Sequence, residues 1–273
     1  MKNVLAIAGS DPSGGAGIQA DLKTMCALGV YGMSAITAVT IQNTRRVRGV
    51  QEIDADIVSG QINAVFEDIP VHAVKIGMVS GSAIIRRIRK SLLSHGAVNI
   101  VLDPVMVSTS GYRLLRPEAE RAVAGLIAIA DIVTPNIPEA ELLTGMAVKN
   151  VRDMTAAARI LLQMGAKSVL VKGGHLDGDA ADLFLDADGS LLLETPRIHT
   201  KNTHGTGCTL SSAIACGLAV GKPVAEAVRD AKEYVTQAIR DAIPVGGGSG
   251  PLGHMIDLYR RAGVEYGGTS DEA

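Results

Sequence analysis

The segment His204-Gly205-Thr206-Gly207-Cys208-Thr209 leads into SSAIACGLAV, a run of small and apolar residues that reads as a buried helix. Its glycines let backbone N–H groups converge on one point, where the helix dipole adds positive potential. That machinery suits a phosphoryl group in transit. The plainer reading is a tight turn whose glycines relieve strain, with Cys208 a small buried hydrophobe. Taken alone, a glycine-rich turn favours the plainer reading.

A second segment, TPNIPEAE, sets Asn136 three residues before Glu139, with Pro138 between them. This is the pattern of an N-cap and a first-turn acid at the start of a helix. Gln42 by itself is a polar residue at a strand end facing water. Other patterns are excluded. No GxxxxGK[ST] loop is present, because Pro223 follows Lys222. The Gly-x-Gly-x-x-Gly match at Gly248, Gly250 and Gly253 contains Pro251 and follows no strand, so it is a chance match. HExxH and paired-cysteine patterns are missing too.

These residues need elements to hold them. Short aliphatic runs alternate with longer segments of helical period, which implies crossover units and a mainly parallel sheet. Strands are predicted near Val4 to Ala8, Ser34 to Thr40, Ala73 to Ile76, Ile100 to Leu102, Ile132 to Thr134 and Ser168 to Val171. A meander follows over Ala181 to Leu185 and Leu191 to Glu194, giving a few antiparallel strands at one edge. Helices close the chain from about Thr209, Val224 and Leu252. In open α/β sheets ligands gather at the carboxyl ends of strands. The loops GSDPSGGAG, DPVMVSTSG from Asp103, TPNIPEAE, KGGHLDGD from Lys172 and KNTHGTGC fall at such places.

Composition narrows the class further. Hydrophobic residues make up 47% and charged residues 20% of the 273, which suits one well-buried domain. Lys plus Arg number 26 against 28 Asp plus Glu, and aromatics are only 3%, so neither a phosphate backbone nor unstacked bases find a partner here. Nucleic acid is excluded. Cys26, Cys208 and Cys216 are odd in number without CxxC spacing, which fits a reducing compartment. The N-terminal apolar run is too short for a signal peptide, and none approaches the roughly 20 residues that span a bilayer. The expectation is a cytoplasmic protein with no membrane partner, one domain over residues 1–262 and a disordered tail over 263–273.

In order along nearly the whole chain, GAGIQADLKT, VKIGM at Val74 to Met78, DPVM at Asp103, TPNIPEAELLTG, VLVKGGH and HTKNTHGTGCTLSSAIA resemble hydroxymethylpyrimidine and hydroxymethylpyrimidine-phosphate kinases of thiamine biosynthesis, within the ribokinase superfamily. Ribokinase relatives in general carry an Asp base at the start of the late helix. Cys208 stands there instead, as is typical of the hydroxymethylpyrimidine branch and some pyridoxal kinases. The resemblance implies a three-layer α/β/α fold, ATP and Mg²⁺ as cofactors, a small-molecule substrate and a homodimer.

It also implies roles. Gly205, Thr206, Gly207 and Cys208 form the anion hole, with Cys208 the general base, its thiol lowered by the helix N-terminus. Because an alcohol is far less acidic than a thiol, proton transfer must be concerted with phosphoryl transfer. Asn136 and Glu139 position Mg²⁺ and nucleotide phosphates largely through water, Asp103 adds a carboxylate, Lys172 meets phosphate, and Lys232 is a further candidate that could be a surface charge. Asp21 and Gln42 hydrogen-bond the aminopyrimidine, while Gly9, Met78 and Val105 line its pocket. The rival activity is pyridoxine or pyridoxal phosphorylation. A rival of another class is a catalytically silent vitamin-binding domain.

Overall fold

The computed structural model describes residues 1–107, 111–174 and 180–264. Its first strand, β1 (Asn3–Ser10), is apolar on both faces, as a central strand of a covered parallel sheet must be. Val4 and Ala6 face one apolar cluster and Leu5 and Ile7 the other. The chain continues through α1 (Gly17–Ala27), β2 (Tyr31–Gln42), β3 (Val47–Glu52), α2 (Ala55–Asp68), β4 (Ala73–Ile76), α3 (Ser82–Ser94) and β5 (Ile100–Leu102). After a 3₁₀ turn at Pro117–Ala119 come α4 (Glu120–Ile127), β6 (Ile132–Val133), α5 (Ile137–Thr144), α6 (Val151–Gln163) and β7 (Val169–Lys172). The described chain closes with β8 (Ala180–Leu185), β9 (Ser190–Thr195), α7 (Thr206–Ala219), α8 (Val224–Arg240) and α9 (Ile256–Arg261).

Among the described residues these strands form one nine-stranded sheet in the order β3-β2-β1-β4-β5-β6-β7-β8-β9. From β2 to β7 every pairing is parallel. The meander β8–β9 is antiparallel, as its sequence predicted. Antiparallel pairing is not confined to that edge, however, because β3 pairs antiparallel with β2 at the other. Strand β3 reads VRGVQE, and its Arg and Gly hid it from an apolar-run criterion.

Helices cover both faces. One layer packs α2, α3, α4, α5 and α6 on the sheet through residues such as Ile62, Ile88, Leu126, Ala140 and Leu161. In α3 the buried Ile84, Ile85, Ile88 and Leu92 recur at helical spacing, which makes one apolar stripe. The other layer is built from α1, α7 and α8, with Met25, Leu210, Ile214, Val228 and Val235 in its core. Helix α7 is apolar nearly all round because it lies between the sheet and its neighbours α1 and α8, and its N-terminus arrives where the parallel strands end. No described helix is long and apolar enough to cross a membrane. Residues 108–110 and 175–179, within the segments expected as loops, and positions 265–273 of the expected tail lie outside the described residues.

Candidate active site

Helix α7 is preceded by its N-cap Gly205, whose φ of 84° is a left-handed conformation natural to glycine. A Cβ there would stand 1.9 Å from the carbonyl oxygen of Gly15, so only glycine lets the β1–α1 loop and the α7 loop touch. The first helical bond of α7 runs from Thr209 N–H to Gly205 C=O at 2.9 Å. The amides of Gly207 and Cys208 precede it and have no partner inside the helix. They open into a cleft of about 720 Å³ whose lining also includes Gly9, Gln42, Met78, Asp103, Val105, Asn136, Glu139, Lys172, Thr206 and Lys232.

Charges in this cleft are arranged in pairs. Lys172 Nζ donates to Asp103 Oδ1 at 2.7 Å, and Thr134 Oγ1 donates to the same oxygen at 3.2 Å. Burial works to lower the Lys172 ammonium, but the carboxylates of Asp103 and Glu139 outweigh it and hold the group above its usual value. Asn136 and Glu139 form a reciprocal capping box on α5: Glu139 N–H donates to Asn136 Oδ1 at 2.9 Å, and Asn136 N–H donates to Glu139 Oε2 at 2.8 Å. The helix-cap reading of these two residues is therefore correct as local structure, and it is what aims Glu139 at the cleft. Burial pushes the Glu139 carboxyl up to about 7, and the Asp103 charge adds to this, against the lowering effect of Lys172 and of the Asn136 and Met106 amides. Lys232, at the far end, is tied to Asp182 Oδ2 at 2.7 Å.

Phosphate fits this arrangement. A Cβ at residue 207 would stand 3.2 Å from Lys172 Nζ and 3.5 Å from Asp103 Oδ2, so the gap between the helix terminus and the ion pair is kept open by the missing side chain. Asp103 and Glu139, which line the cleft together, offer the hard oxygens that Mg²⁺ prefers.

Cys208 lies beside the amide of Gly17, which hydrogen-bonds the thiol, and near Lys75. The sequence led us to expect a lowered thiol. The structure reverses that sign: burial pushes Cys208 up to about 11, and Lys75 and the Gly17 amide recover only part of the loss.

Gly9, Gln42, Met78 and Val105, the expected acceptor-side residues, line the cleft together. Thr37 Oγ1 fixes the Met78 carbonyl at 2.7 Å. Asp21 is not among the lining residues. It is fully buried in α1, where Lys75 Nζ takes both its oxygens at 2.7 and 2.9 Å and Ser212 Oγ donates to Oδ1 at 2.8 Å. A lysine with no exposure on β4 requires a carboxylate, and Asp21 is consumed by that demand. The expected ring contact for Asp21 is thus corrected to a supporting one behind Cys208.

Three participants had no expected role, Lys75 and the pair Asp11 and His204. Asp11 and His204 are joined at 2.8 Å and tie the β1–α1 loop to the α7 loop. Burial alone would raise the Asp11 carboxyl, but hydrogen bonds from His204 and Ser13 outweigh it and hold it below the usual range. The available signals were Asp11 ahead of a Pro-Ser-Gly-Gly turn and a lone Lys75 inside an apolar strand.

A covered parallel sheet with a glycine-opened helix terminus facing paired charges at its strand ends defines a ribokinase-like small-molecule kinase scaffold. The comparisons narrow this. The sequence profile described as Phosphomethylpyrimidine kinase matches residues 11–253. A hydroxymethylpyrimidine/phosphomethylpyrimidine kinase of Rhizobium meliloti is 54% identical over 256 residues, covering 92% of this chain and 96% of the relative. One from Escherichia coli is 44% identical, over 93% and 97%. Among solved structures, the phosphomethylpyrimidine kinase of Clostridium difficile superposes with a TM-score of 0.79 at 50% identity, over 88% of this chain and 100% of its own. An ADP complex of Bacillus subtilis pyridoxal kinase gives 0.88 at 39%, over 94% and 99%. The chain belongs to the phosphomethylpyrimidine kinase family.

Proposed function

We propose that this protein transfers the γ-phosphoryl group of ATP to the hydroxymethyl oxygen of 4-amino-5-hydroxymethyl-2-methylpyrimidine, and then phosphorylates the resulting monophosphate to the pyrophosphate, in thiamine biosynthesis. The observation that carries this reading is that Cys208, at the open N-terminus of α7, shares one cleft with Gln42 and with the Asp103, Glu139 and Lys172 cluster. The named activity of the relatives supports it. The kinase domain comprises residues 1–262.

Gly205 to Cys208 supply backbone donors where charge develops on the transferring group, and Lys172 neutralises it further. Asn136, Glu139 and Asp103 are the residues that would hold Mg²⁺. When bound, Mg²⁺ supplies charge neutralisation at the phosphate oxygens. Cys208 takes the acceptor proton as its thiolate, and only as the new O–P bond forms, because the alcohol is far less acidic than the thiol; with a value near 11, only about one thiol in 10⁴ is in that base form at neutral pH. Such a late transfer suits a loose phosphoryl transition state. ATP use is supported by the ADP and AMP-PCP complexes of the structural neighbours. By analogy with ribokinase relatives we assign a homodimer in the cytoplasm, which sedimentation and fractionation would test.

The test of function is a kinase assay with the pyrimidine alcohol, its monophosphate and pyridoxal at equal ATP and Mg²⁺. Turnover of the first two sustains the reading, and exclusive turnover of pyridoxal replaces it. Pyridoxal phosphorylation is the second reading because the Bacillus subtilis pyridoxal kinase superposes with the higher TM-score of 0.88.

A further inference from the structure

His204 Nε2 lies 2.8 Å from Asp11 Oδ2 and 3.2 Å from the Gln42 amide atom assigned as Nε2. A ring nitrogen has a single in-plane site, which holds either a proton or a lone pair. Asp11 decides which. Its carboxylate accepts Ser13 N–H at 2.8 Å, Ser13 O–H at 2.7 Å and Ala16 N–H at 2.9 Å, so it is ionised and can only accept. Nε2 facing it must therefore carry the proton.

That proton also faces Gln42, where an oxygen is welcome and an NH₂ is repelled. The other end of the same amide, assigned as Oε1, is 3.3 Å from Thr40 Oγ1. The Thr40 hydroxyl has one proton, and it donates to the Ser10 carbonyl at 3.0 Å. Only lone pairs remain toward Gln42, and these call for an NH₂. The two constraints act on opposite ends of one amide and agree. A half-turn of the amide leaves the heavy-atom positions unchanged and satisfies both, whereas Nε2 toward His204 would oppose N–H to N–H.

We infer that His204, fixed as its Nε2–H form by Asp11, is the positioning residue that locks the Gln42 amide with Oε1 toward His204 and Nε2 toward Thr40. One N–H and one oxygen lone pair of Gln42 are left for a ligand, in a fixed order. Resting on the pyrimidine reading above, this order matters because a 4-amino ring presents an acceptor ring nitrogen beside a donor amine, while a 4-oxo ring in its keto form presents a donor ring nitrogen beside an acceptor oxygen. A freely turning glutamine accepts either. A locked one accepts only one of them, so His204 sets discrimination between amino and oxo pyrimidines.

Two measurements test this. The first compares kcat/KM for 4-amino-5-hydroxymethyl-2-methylpyrimidine and its 4-oxo counterpart in the wild type, His204→Leu and His204→Gln, together with KM for ATP. His204→Leu should lower the amino-to-oxo ratio by about tenfold or more, the scale on which unpaired polar groups at a site discriminate, with KM for ATP moving less than about twofold. His204→Gln, which returns an N–H near the lost Nε2, should keep most of the ratio. An unchanged ratio in His204→Leu, or an equal fall in both variants, overturns the proposal. The second is ¹⁵N NMR of His204 in the ligand-free wild type, which should show a protonated Nε2. An unprotonated Nε2 overturns the proposal whatever the substrate is, and holds as a test if a variant does not fold. Should the wild type phosphorylate neither pyrimidine, the functional reading falls, while the NMR result still decides the amide orientation.

Discussion

Lys75 Nζ spans both carboxylate oxygens of Asp21, at 2.7 and 2.9 Å, and neither side chain is exposed to solvent. The pair sits behind Cys208, where the Lys75 charge favours the thiolate and the Asp21 charge opposes it. Asp21→Asn should leave a buried lysine without its counter-charge and cost about 3–5 kcal/mol in urea unfolding. It should also bring the Cys208 alkylation midpoint down from about 11, because the opposing charge is gone and the favouring one stays. Peptide mapping separates this site from the exposed Cys26. A midpoint that stays put would detach the pair from the thiol.

Cys208→Ala should slow phosphorylation of the alcohol by about 10²- to 10⁴-fold, the range for losing a positioned general base. The monophosphate acceptor already presents an anionic oxygen near neutral pH, so its reaction should fall by less. The pH profiles should differ in the same way. With the thiol near 11, the alcohol reaction should climb with pH from 7 towards 9 as the base form grows, and the monophosphate reaction should be flatter. Single-turnover rates for each acceptor check this, and equal losses with parallel profiles would make Cys208 architectural.

Gln42→Leu removes the amide proposed to bind the ring and leaves the Asp103, Glu139 and Lys172 cluster untouched. KM for the pyrimidine should rise by about 10²-fold while KM for ATP stays within a factor of about two, since a site built around polar groups loses most when those groups vanish. Steady-state kinetics with each substrate varied in turn give the answer. Equal losses would place Gln42 in the fold rather than in recognition.

Glu139 carries a pH signature. Its carboxyl is raised from 4.5 to about 7, so between those values the folded state binds the proton that the unfolded state has released. Stability from this group is therefore present below 4.5 and lost as pH rises through 7. Glu139→Gln should raise the Tm at pH 8, with the gain shrinking towards pH 5. The same variant should need more Mg²⁺ for half-maximal activity without losing it altogether. A Tm difference independent of pH, or no recovery at high Mg²⁺, would contradict the assignment.

The sequence by itself determined whatever depends on neighbours in the chain. Strand β1 is legible because both its faces must be apolar, and the Asn136–Glu139 capping box because its partners are three residues apart and bond each other. The Gly205 to Cys208 helix start reads equally well, since a glycine turn before an apolar run is a local event. Resemblance placed Gln42, Asp103 and Lys172 at one site, and the strand ends bring them there. Only the tertiary structure decided the rest. Asp21 and Lys75 are 54 residues apart and Asp11 and His204 are 193 apart, so neither pairing leaves a local trace. The Cys208 thiol rose where the helix terminus alone argued for a fall, because desolvation depends on everything packed around a group, and that is fixed only when distant segments close over it.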